Sequence, residues 1–157
     1  MTKLLLLIIV SSLLLAAGCA TTQPTPGPED DTALYLSRFD RIWEVTLSVL
    51  EEDAIKVKSM DKGKGVIITS FVNYSVGHGA HHAIDEIAER PLVRLAIFTQ
   101  VSYRLTISIT PVSEMSTMVR VIATIEAYDS NMTKTWHQCP TKNVLEYRLQ
   151  EKIRSRI

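Results

Sequence analysis

The densest group of side chains able to do chemistry is the run His78-Gly79-Ala80-His81-His82-Ala83-Ile84-Asp85-Glu86. On a helix His81 and Asp85 stand at i, i+4, as do His82 and Glu86, so each imidazole shares a face with a carboxylate. Nitrogen and oxygen donors at that spacing suit zinc or copper. His78, His81, His82 and Asp85 are therefore the candidate ligands should a metal bind, and a metal-binding protein or hydrolase would use them. The two pairs point in different directions, and the run is not HExxH. Surface ion pairing accounts for the same residues, so no cofactor is expected.

Nucleophiles are sparse. Cys139 stands two residues from His137, but no GxSxG or cysteine-hydrolase signature surrounds it. A buried, inert thiol is the expected state, with intermolecular pairing as the alternative. Glu51 and Glu52 are adjacent and diverge on a helix, so they form no acid–base pair. The tract Asp61-Lys62-Gly63-Lys64-Gly65 lacks the length and the Lys-Ser/Thr ending of a Walker loop and reads as a hairpin turn.

The elements that position these residues are legible from periodicity. Tyr35, Phe39, Ile42, Trp43, Thr46, Val49 and Leu50 recur at helical spacing, which predicts a helix over 33–53, starting near 32 or near 37. Strands follow at 55–58 and 66–74. Residues 75–99 form an insert containing a helix over 80–90 that Pro91 ends. This insert either packs over the sheet or presents a partner-binding or lipid-facing surface. Strict alternation at Val101, Tyr103, Leu105, Ile107 and Ile109, and again at Val119, Val121, Ala123, Ile125 and Ala127, predicts an antiparallel hairpin, the first strand stopping at Pro111. After a polar loop over 129–135, a last helix spans 142–156, capped by Thr141 or Asn143. The expectation is an α+β domain, α-β-β-insert-β-β-α, with a four-stranded antiparallel sheet and both helices on one face.

The N-terminus sets the location. After Lys3, the fourteen residues from Leu4 to Ala17 include only Ser11 and Ser12 as polar residues, and small residues follow. That is the layout of a secretory signal and is short for a membrane span. Residues 20–31, ATTQPTPGPEDD, are proline-rich and too polar to fold, so they read as a tether. The expected division is a signal peptide over 1–18, Cys19 with its tether over 19–32, and one domain over 33–157. Lys plus Arg and Asp plus Glu each number 17, so no basic field exists to attract nucleic acid.

Ala16-Ala17-Gly18-Cys19 resembles the lipobox of bacterial lipoproteins. The resemblance implies cleavage before Cys19, acylation of Cys19 with fatty acid such as palmitate, and, because Ala20 follows, sorting to the periplasmic side of the outer membrane. Residues 39–70, FDRIWEVTLSVLEEDAIKVKSMDKGKGVIITS, look like a helix-grip module, which Tyr103 to Ala127 and Leu145 to Ile157 continue. In this the chain is similar to the BamC-like lipoproteins of the outer-membrane barrel-assembly machinery. That resemblance implies a non-enzymatic accessory that binds other envelope proteins. The other expectation left open is a periplasmic module that binds a lipid or apolar ligand between sheet and helices.

Overall fold

The computed structural model describes residues 31–157. The expected signal peptide, Cys19 and all but the end of the tether lie outside the described residues.

The centre is one long antiparallel hairpin, β5 (Phe98–Ser113) and β6 (Ser116–Asp129). Its odd-numbered residues from Val101 to Ile109 and from Thr117 to Asp129 are buried on one face. The shorter strands flank it in two broken rows. On the outer edge of β5, β3 (Val66–Thr69) pairs with residues 106–108 and β4 (Val72–Val76) with residues 100–103. On the outer edge of β6, β1 (Thr32–Tyr35) pairs with residues 117–120 and β7 (Trp136–Cys139) with residues 125–128. β2 (Val57–Asp61) lies outside β3.

The antiparallel α+β class stands, but the sheet has seven strands rather than four. Three short strands account for the difference. The expected 33–53 helix is β1 followed by α1 (Phe39–Glu52): four residues are too few to separate a period of 2 from one of 3.6. Ala33 and Tyr35 point inward, and the Tyr35 hydroxyl donates to the Gln150 carbonyl at 2.9 Å. The 66–74 strand is two strands broken at Ser70-Phe71, and Trp136–Cys139 pairs with β6 instead of running as loop. Pro111 does not end β5. It sits opposite Thr117, and the register shifts between Pro111 and Ser113, where a missing N–H is tolerated.

The helices α1, α2 (Ala80–Ile87) and α3 (Val144–Arg154) all lie against the buried face. Ile42, Val49, Leu50, Ile84, Ile87, Leu149 and Ile153 fill the layer between helices and sheet. Each such aliphatic side chain contributes about 1.5–3 kcal/mol on burial. The insert is stitched down rather than free: the Glu89 N–H donates to the Pro140 carbonyl at 2.8 Å and the Lys142 N–H to the Ile87 carbonyl at 3.0 Å. Gly65 closes the β2–β3 turn at φ +67°, and a Cβ there would lie 2.0 Å from the Ile109 carbonyl oxygen, so only glycine fits.

The breaks in the two flanking rows fall at one level. Leu105 and Ala123 are direct cross-strand partners. The Leu105 N–H lies just beyond the last β3–β5 pair and donates to the side chain of Thr69, the final residue of β3, its Oγ1 at 2.8 Å. The Ala123 N–H donates to Glu146 Oε1 at 3.0 Å. Side chains thus replace strands at this waist, since a buried N–H left unpaired is costly.

Candidate functional site

The sequence-level metal candidates disperse. His78 is exposed on a 3-10 turn (Gly77–Gly79), and His82 is exposed on α2. His81 leans on Phe98, with ring centroids 6.0 Å apart. Asp85 is engaged by Arg90, whose Nε donates at 2.6 Å and Nη2 at 2.5 Å. The guanidinium of Arg90 holds the Asp85 carboxyl below the usual carboxylate range. Glu86 pairs with Arg148 at 3.2 Å. Among the described residues, no three of His, Cys, Asp and Glu gather at metal-ligating distances. Cys139 is buried, and burial pushes its thiol up to about 11, the opposite of what a nucleophile needs. The His137 ring lies 2.6 Å from Thr133 Oγ1.

Two concavities stand near the core. A cleft of about 220 Å³ opens between the end of α1, the sheet and α3, walled by Asp53, Tyr103, Arg148 and Lys152. Two of its lining residues, Lys152 and Asp53, form an ion pair. Burial, then the Asp53 charge, raises the pKa of Tyr103. A wider hollow, about 970 Å³, is an open groove along α3 beside Val144, Tyr147 and Glu151, lined by that helix and the residues flanking it. It encloses nothing.

The surfaces that remain apolar and open are elsewhere. The even-numbered face of the β5–β6 hairpin faces away from the helices. Leu34 lies opposite Met118, and both are exposed. One row carries Ile68, Thr106 and Ile122, with Ile122 40% exposed. Beside them Arg104 stacks on the Phe71 ring, 5.2 Å from the centroid, in the break between β3 and β4. Its Nε is buried and has no hydrogen-bond partner among the described residues.

The second surface is the end of the sheet where β6 finishes. There Asp129 is buried, and its carboxylate gathers two loops. It accepts the Ile97 N–H at 3.0 Å, the Asn131 N–H at 3.0 Å, the Met132 N–H at 3.1 Å and the Thr133 N–H at 2.7 Å. The Thr133 hydroxyl adds a fifth bond at 3.0 Å. Burial alone would raise its pKa; the donors of Thr133, Asn131 and Ile97 reverse this and hold it well below the carboxylate range. Leu95 adopts φ +60°, and its carbonyl accepts from Asn131 Nδ2 at 2.9 Å. The clamp leaves Leu92, Leu95, Ile97 and Met132 exposed at one tip. Trp136 and Tyr128 pack together nearby, ring centroids 5.5 Å apart.

Asp129, Glu146 and Arg104 escape sequence reading. Only Asp129 left a signal: an Asp closing a strand before Ser-Asn-Met-Thr is a composition for side-chain-organised turns. No protein-family model matches the chain, and no curated protein sequence matches it significantly. Among the described residues, no helix is long and apolar enough to cross a membrane.

Proposed function

We propose that this protein is a non-enzymatic outer-membrane lipoprotein, held on the periplasmic side by acylated Cys19, that serves as an accessory protein-binding module in envelope assembly. The sequence support is the signal, the lipobox-like Ala16-Ala17-Gly18-Cys19 and the likeness to BamC-like lipoproteins. The observation that carries the binding role is the uncovered sheet face, where Ile122 stands exposed beside the Phe71-stacked Arg104 and the exposed Leu34–Met118 pair continues the face further along the hairpin. Apolar side chains around a partly desolvated guanidinium are the composition of an interface centre. The filled helix–sheet layer favours this reading over an apolar ligand held inside. The mechanism is proximity: the anchor confines the domain to two dimensions and raises the local concentration of the face against envelope partners.

The test is a photocrosslinking residue at Ile122 in intact envelopes, with one at Tyr147 as the control. A discrete protein adduct from Ile122 alone is expected, lost in Arg104→Met and in Cys19→Ala. Equal adducts from both positions, or none from Ile122, would remove the binding role.

A further inference from the structure

Resting on the reading that Cys19 is acylated, we infer that the tip formed by residues 91–97 and 130–134 is a second membrane contact, which seats the domain on anionic lipid. Three observations converge on it.

The first is chemistry. Leu92, Leu95, Ile97 and Met132 are exposed on two loops that Asp129 holds together. The charged residues of those two loops are Arg94 and Lys134, both exposed; the carboxylate between the loops, that of Asp129, is buried and bonded to five donors, and the exposed Glu89 lies before Pro91, outside them. Aliphatic side chains beside two cations, with no exposed acid in either loop, match the acyl–headgroup boundary of an anionic bilayer. The Trp136–Tyr128 pair sits one step up the sheet, where amphipathic rings favour the headgroup layer.

The second is direction. β1 runs antiparallel to β6, so the chain before Thr32 leaves toward the end of β6 that carries the tip. The Asp31 carbonyl accepts the Val121 N–H at 2.7 Å. From Val121 to Asp129 the sheet extends about 27 Å at the strand rise. Residues 20–31 reach up to about 37 Å at the polyproline rise. A chain of that length covers the distance from Val121 to the level of the tip.

The third is size. Four aliphatic side chains expose a few hundred Å² on one copy, under the roughly 800 Å² that each partner contributes to an interface of standard size. A second copy of this chain would not be held there. A bilayer already joined by the anchor would, because the weak contact becomes intramolecular.

The test uses the full acylated protein reconstituted into phosphatidylcholine vesicles with and without phosphatidylglycerol. An environment-sensitive fluorophore is placed at Leu92→Cys, or at Met115→Cys on the opposite hairpin end. Cys139 is buried with a raised pKa, so labelling falls on the introduced thiol. The Leu92 label is expected to shift to the blue and be quenched by lipid-borne nitroxide, while the Met115 label stays aqueous. Arg94→Glu or Lys134→Glu lowers the inserted fraction about fivefold in anionic vesicles. A protein that floats with the vesicles while both labels report alike, or while the Leu92 label reports water, overturns this proposal alone. A protein that never floats overturns the anchor and the tip contact together.

Discussion

Replacing Glu146 gives the sharpest test of how the sheet is completed. Its side chain is 1% exposed, and Oε1 accepts the Ala123 N–H at 3.0 Å where β6 has lost its outer neighbour. Oε2 accepts the Thr141 hydroxyl at 3.1 Å, and that hydroxyl in turn accepts the Asn143 N–H at 3.0 Å, which fixes the start of α3. Glu146→Ala strands a buried N–H, costing about 1–3 kcal/mol, and forfeits the Thr141 bond, about 1 kcal/mol more. A loss of roughly 3 kcal/mol lowers the Tm of a domain this size by about 10–15 °C. Glu146→Gln keeps an acceptor for Ala123 and exchanges charged bonds for neutral ones, so it costs only about 1 kcal/mol. Thermal melts followed by circular dichroism measure both variants. Hydrogen exchange at Ala123 gives the local readout: its amide is protected in the parent and in Glu146→Gln, and exchanges fast in Glu146→Ala. Equal losses in the two variants, or an Ala123 amide that stays protected in Glu146→Ala, would refute the assignment.

Gly65→Ala places a Cβ 2.0 Å from the Ile109 carbonyl at φ +67°, so β3 and β5 must separate. Urea unfolding should show a loss of about 3 kcal/mol. Asp129 tests the tip clamp by pH. Its folded pKa lies below the unfolded value of about 3.9, so its stabilisation is full above that pH and is lost as pH falls through the folded value. The amides of Asn131, Met132 and Thr133 should therefore stay protected at pH 5 and open only in strong acid; in Asp129→Ala, which removes both acceptor oxygens, they should be open at every pH. Protection of those amides in Asp129→Ala would count against the clamp.

The long hairpin was readable because each strand buries one face, and a period of 2 over nine residues from Val101 to Ile109 admits no helix. The amphipathic stripe of α1 was readable for the matching reason, with Ile42, Val49 and Leu50 falling inward. The four-residue strands were not readable, since β1 and β7 exist only because β6 offers an edge. Asp85 and Glu86 looked available for a metal because sequence does not record that Arg90 and Arg148 fold back onto them. The Leu92–Ile97 stretch looked apolar for a loop, but only the Asp129 clamp assembles it with Met132 into one tip.

Short-range patterning alone determined the near-zero net charge and the helix-plus-antiparallel-sheet class, because each depends on composition or on neighbours within a few residues. Tertiary structure alone decided the seven-strand width, the waist at Leu105 and Ala123, and the roles of Glu146, Arg104 and Asp129. A buried polar side chain takes its role from whichever backbone group lacks a partner, and the vacancies in this sheet arise only when strands far apart in the chain are laid side by side.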